Sequence, residues 1–244
     1  MTQEPLTNGS TDGTEEIGHT HRDVSGGWLR PAVFGAMDGL VTNIALVAGV
    51  GGGGAGRDVI VLSGVAGLVA GAFSMALGEY ASVNAQNEQV NAEAAVERAE
   101  IERNPRAEQA ELVGMYLDMG LSRDTAERVA AEVHADEDLA VRVHLTQELG
   151  VDVDEQPSPL VAAISSFLCF SVGALFPLLP YLLGFDSLPA GLAVGGAGLF
   201  AAGALTTRYT GKPWWFGGLR QMGFGAIAAT ATFLVGTLIG ITTT

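Results

Sequence analysis

Five stretches of this chain, roughly 31–51, 59–83, 159–183, 188–207 and 219–241, run long and apolar with few charges. A helix needs about 20 such residues to cross the hydrocarbon core of a bilayer. The breaks between them are turn-forming: Gly51 to Gly56, Gly184 to Pro189, and Gly211 to Pro213. Only the second and third stretches are separated by a long polar segment. The expected fold class is therefore an all-α membrane protein with five transmembrane helices and a helical insert between spans 2 and 3.

Charge is segregated in the same way. The formal net charge is −15, yet 48% of the residues are hydrophobic, and 18 of the 27 acidic residues lie between Glu88 and Glu155. One chain addresses two solvents. Acidity of this degree argues against nucleic acid, which needs clustered Lys and Arg, and only 12 basic residues are present. Cations are the natural ligands. The lone Cys169 lies in an apolar run, so neither a disulfide framework nor a thiolate zinc site can form, and it reads as a packing residue. No Ser/His/Asp set, His-Glu-x-x-His motif or phosphate loop is present, so an enzyme is not expected.

The domain reading follows: 1–27 a disordered cytosolic tail, 28–85 spans 1 and 2, 86–156 an acidic helical metal-binding domain that continues span 2, and 157–244 spans 3 to 5. The tail has no basic or apolar signal-peptide region. His19 and His21 form a His-x-His pair in it, two ligands on a flexible segment and thus a weak site. Orientation follows from the basic residues. Arg22 and Arg30 precede span 1, six arginines occupy the insert, and Arg208, Lys212 and Arg220 flank the loop after span 4, against Arg57 alone on the other side. The amino terminus and insert are thereby expected in the cytosol. Trp214 and Trp215 beside Lys212 read as interfacial anchors.

From Val59 nothing breaks the helical pattern until Asn104-Pro105, which predicts one helix of about 45 residues, or about 67 Å, projecting well beyond the membrane. Asn104 suits an N-cap and Pro105 a first helical residue; Gly120 stops that helix, Ser122 caps the next, and a last one runs toward Glu148 and Gly150.

The acids inside the spans carry the chemistry. A carboxylate in hydrocarbon is costly and marks an ion or proton path. Asp38 lies in span 1 and Glu79 near the cytosolic end of span 2, with Met75 one turn earlier on the same face. Carboxylate plus thioether favours a softer ion such as ferrous iron over magnesium or calcium. Met75 alone would read as packing, and Glu79 could snorkel to the interface. In the insert, Glu-x-x-Glu occurs twice, at Glu97/Glu100 and Glu108/Glu111 on either side of the Asn-Pro turn, which allows the pairs to face one another. His144 and Glu148, four apart, add a nitrogen and an oxygen ligand suited to ferrous iron, manganese or zinc. A charge run of this kind can also be only a solvated face.

The motifs DGLVTN in span 1, SMALGEY in span 2, GALFPLLPY (Gly173 to Tyr181) in span 3 and GLRQMGFGA (Gly218 to Ala226) in span 5 resemble the vacuolar iron transporter family, in order, from about His21 to the end. The resemblance implies a homodimer with a pathway at or near the subunit interface, and proton-coupled export of ferrous iron or manganese from the cytosol. It implies that the insert collects ions on Glu97, Glu100, Glu108, Glu111 and Glu148. Two departures stand out. His144 and Leu145 take the place of methionine ligands found in some relatives, and Gly67 takes the place of a membrane glutamate, for which Glu79 is the expected substitute proton carrier. The expected cargo is Fe2+, with Mn2+, Co2+ or Zn2+ as alternatives, moving from the insert to Asp38 and Met75 while protons return through Asp38 or Glu79. Gly49/Gly53 and Gly191/Gly195 are small-xxx-small pairs that hint at helix contacts in the dimer. The membrane is the cell membrane in a prokaryote and the vacuolar membrane in a eukaryote. A different reading, a membrane-tethered metal buffer or sensor, uses the same insert but gives the intramembrane acids no task.

Overall fold

The computed structural model describes residues 27–243, so His19 and His21 lie outside the described residues. All described secondary structure is helical: α1 (Leu29–Gly52), α2 (Arg57–Arg103), α3 (Pro105–Asp118), α4 (Arg123–Val133), α5 (Glu137–Glu148), α6 (Pro159–Leu175), a 3₁₀ turn at Phe176–Leu178, α7 (Leu179–Leu182), α8 (Leu188–Thr210) and α9 (Trp214–Thr243). Five segments are long and apolar enough to cross a membrane: α1, α2, α6 through α7, α8 and α9. Their outward faces carry large exposed apolar side chains, among them Leu62, Phe73, Leu77, Leu168, Ile227 and Leu238. Water would not tolerate apolar area on this scale, whereas lipid solvates it.

Helix α1 is the hub, packing against α6, α9, α2 and α8. Glycines make the close approaches. A Cβ on Gly39 would lie 2.2 Å from the Phe170 carbonyl oxygen of α6, and one on Gly236 would lie 1.8 Å from the Gly49 carbonyl oxygen of α1. The pairs Gly49/Gly53 and Gly191/Gly195 both meet neighbours within the chain: the first faces Thr232 and Gly236 of α9, the second Tyr181, Pro177 and Ile44. Gly191 and Gly195 are buried in the bundle, whereas Gly49 is half-buried and Gly53 exposed. Gly236→Ala is expected to destabilise the bundle by about 3 kcal/mol or more, since the obstructing atom is backbone that cannot rotate away. Thermal unfolding in detergent checks this.

The third span departs from a single helix. Pro177 and Pro180 interrupt it with a 3₁₀ turn, because proline lacks an N–H and collides with the carbonyl one turn back. Asn43, fully buried on α1, clasps this break, donating from Nδ2 to the Ala174 carbonyl at 2.6 Å and to the Gly64 carbonyl at 3.2 Å. Such hydrogen bonds hold helices together where lipid offers no partner.

Helix α2 is continuous over 47 residues, about 70 Å. Its last turns leave the apolar bundle and enter a second core with the insert, where Ala94 and Ile101 pack with Leu112 of α3, Ala130 and Val133 of α4, and Val141 and Leu145 of α5. Arg98 ties α2 to α5 through Glu137 at 3.3 Å and through Asp138. The expected turns hold: Gly120 (φ 95°) and Gly150 (φ 66°) end α3 and α5 in a conformation that strains other residues, and the Ser122 hydroxyl caps α4. Asn104 sits at the N-cap of α3 but its side chain does not cap; Nδ2 reaches back to Glu100 Oε2 at 3.4 Å.

A candidate metal centre where α2, α3 and α5 meet

One ligand atom from each of Glu97 (α2), Glu108 (α3) and His144 (α5) falls within 4.8 Å of the others. Ligands on opposite sides of a divalent ion at 2.0–2.2 Å lie up to about 4.4 Å apart. Only two of three ligands can stand opposite one another, so gathering all three onto one ion draws the side chains further together. The turn at Asn104-Pro105 brings Glu108 back beside Glu97, and Arg98 pins α5, which delivers His144, to α2.

His144 is fully buried and faces two carboxylates through one nitrogen: Nδ1 is 3.1 Å from Glu148 Oε1 and 3.2 Å from Glu97 Oε1. One imidazole proton cannot serve both. Glu97 Oε1 is buried and without a hydrogen bond, an acceptor whose desolvation a cation would offset. Glu111 and Glu100 complete the acidic field. Glu111 raises the carboxyl pKa of both Glu97 and Glu108, and Glu100 adds to the effect on Glu108. Glu100 is itself engaged by Arg103 and Asn104, and Glu111 is exposed. The first ring is therefore Glu97, Glu108 and His144, with Glu148 against the imidazole and Glu100 and Glu111 at the rim.

Burial raises the Glu97 and Glu108 carboxyls above the ordinary glutamate range. Repulsion from Glu148, Glu108 and Glu111 at Glu97, and from Glu111, Glu148 and Glu100 at Glu108, adds to it, while His144 opposes it. With folded pKa values above the unfolded ones, the folded state binds more protons, so these groups cost stability as pH rises through that window and cease to cost it as pH falls. In metal-free protein, Glu97→Gln is expected to raise the insert's melting temperature near neutral pH, with the gain fading as pH falls toward the raised range. Melts across pH with a chelator present check this.

His134, which the sequence reading passed over, completes the centre. It lies at the C-cap of α4 with its Nε2 3.1 Å from His144 Nε2. Burial, then the neighbouring His144, lowers its pKa. The available signal was compositional: two of the four histidines lie ten residues apart in the insert.

The acids in the spans are placed separately. Asp38 is half-buried on α1 and hydrogen-bonded to Thr42 one turn on. Met75 packs between α2 and α6 against Ala72 and Phe170. Glu79 does not snorkel into open solvent: it is buried, its Oε2 has no hydrogen bond, and the nearest cation, Arg30 Nη1, stands 3.9 Å off on a largely exposed side chain. The 18-residue interval between Glu79 and Glu97 equals about five turns, so both lie on one face of α2 about 27 Å apart. At Gly67 an added Cβ would meet Leu46 Cδ1 at 2.8 Å and Asn43 Oδ1 at 3.4 Å, so a side chain there would have to displace the flexible end of Leu46.

A sequence model described as the VIT family matches residues 29–237. A vacuolar iron transporter of Acanthamoeba castellanii is 33% identical over 234 residues, which cover 91% of this chain and 83% of that one. Vacuolar iron transporter 2 of Oryza sativa subsp. japonica is 28% identical, with 88% and 89% covered. Vacuolar iron transporter 1 of Arabidopsis thaliana is 26% identical, with 91% and 90% covered.

Proposed function

This chain belongs to the VIT family, and from that premise we propose that it moves divalent metal ions, ferrous iron first among them, from the cytosol across the bilayer in exchange for protons. The observation that carries this reading is the helix α2. It holds Glu97 of the candidate metal centre at one end and Glu79 and Met75 in the membrane, on a single unbroken rod. Ions collect at Glu97, Glu108 and His144, with Glu148, Glu100 and Glu111 supplying negative potential. They then pass to Asp38 and Met75, where carboxylate and thioether suit a borderline ion. Protons return through Asp38 or Glu79.

In this proposal the insert faces the cytosol, as the arginine distribution supports, and the transporting unit is a homodimer with its pathway near the subunit interface. Two carboxylates inside spans, one of them with an unbonded buried oxygen, favour transport over a tethered buffer, which needs neither. Uptake of Fe2+, Mn2+, Co2+ and Zn2+ into vesicles carrying the full-length chain tests the reading. Saturable uptake with Fe2+ preferred is the expected outcome. Metal retention on the protein with no lumenal accumulation would establish the buffer instead.

A further inference from the structure

The two insert histidines meet end to end, Nε2 to Nε2 at 3.1 Å, with ring planes at 84°. One nitrogen of such a contact must carry the proton and the other offer a lone pair. A neutral imidazole has a single N–H, so the two ends of His144 are linked: a proton on Nδ1 leaves a lone pair on Nε2, and the reverse. Without metal, His144 Nδ1–H donates toward Glu148 and Nε2 accepts from His134 Nε2–H. A cation held between Glu97 and Glu108 takes the Nδ1 lone pair, which the proton must vacate. His144 then carries its proton on Nε2, a buried N–H that needs an acceptor.

We propose that His134 is a positioning residue for metal binding: by accepting the Nε2–H of His144 it holds that imidazole in the tautomer whose Nδ1 is open to a divalent transition ion. The protons balance. His144 moves its proton from Nδ1 to Nε2, and His134 moves its own from Nε2 to Nδ1 through solvent, which reaches this half-buried ring. Outer partners of this kind fix the orientation and tautomer of a ligating histidine. The inference rests on the reading of the Glu97–Glu108–His144 group as a metal centre.

The test uses the full-length chain in nanodiscs, labelled with 15N-histidine, with Zn2+ as a diamagnetic probe and isothermal titration for affinity. Zn2+ is expected to convert His144 from the Nδ1–H to the Nε2–H form with Nδ1 ligated, and His134 from Nε2–H to Nδ1–H. His134→Leu should weaken Zn2+ binding by about 10-fold or more, and His134→Gln, whose side-chain carbonyl can accept the same hydrogen bond, should recover most of it. Zn2+ ligated by both Nε2 atoms would overturn the proposal by making His134 a ligand. Unchanged affinity and an unchanged His144 tautomer shift in His134→Leu would overturn it too. If Zn2+ leaves the His144 signals unmoved and Glu97→Gln does not weaken binding, the metal centre itself falls; if Glu97→Gln weakens binding and His134→Leu does not, only the role of His134 falls.

Discussion

Asp38→Ala is expected to reduce metal flux to that of empty vesicles while leaving the insert's affinity for the ion unchanged. Asp38 sits on α1, the helix every other span packs against, and its bonded neighbour is the Thr42 hydroxyl. A carboxylate kept in such a place at the cost of desolvation marks an ion or proton path. On the proposed pathway, removing it takes away a cation's oxygen ligand and a proton carrier together. The substitution also shortens a half-buried side chain without opening a packed core, so the bundle should fold. Flux in vesicles and metal titration on the same preparation separate the two effects, and undiminished flux would exclude Asp38 from the pathway.

The combined change Glu97→Gln, Glu108→Gln is expected to weaken metal binding to the insert by about 100-fold or more, beyond the loss typical of outer-shell changes. Both supply the carboxylate oxygens of the one three-residue group among the described residues placed to hold a metal ion. Amides keep the volume and relieve the repulsion that raises these carboxyls, so loss of affinity arrives with a gain in metal-free stability. A merely structural role would lower both. Transport at limiting metal should fall steeply and transport at saturating metal should persist, because the path through the spans is untouched. These substitutions probe the insert more cleanly than excising it, since residues 90–103 are the last turns of α2 and part of the insert's core.

Much of this architecture was legible from residue pattern. Span length, the glycine turns at 120 and 150 and the unbroken run from Val59 to Asn104 depend on local chemistry, which a sequence exposes directly. The long helix in particular follows from the absence of any breaker. The interruption of the third span was written in Pro177 and Pro180, but its repair was not. The clasp from Asn43 spans 131 residues to Ala174, and no local pattern pairs them. The glycine pairs are ambiguous in a related way, because a small face states that something comes close without stating what. In the candidate metal centre, Glu97, Glu108, His144 and Glu148 were readable as ligand types at helical spacing. The division between an inner ring and a rim at Glu100 and Glu111 was not, since it depends on how deeply each turn is buried in the folded insert. His134 escaped because its role comes from a contact across a turn between two short helices, where neither spacing nor amphipathicity points at it.

In the function proposed above, proton exchange is the step that joins the acids in the spans to an ion gathered at the insert. It is measured most directly by following iron and lumenal pH together in sealed vesicles bearing the full-length chain with its insert outward. Fe2+ entry is expected to raise lumenal pH as protons leave in exchange, in the wild type and not in Asp38→Ala. Iron accumulation at an unchanged lumenal pH would contradict it.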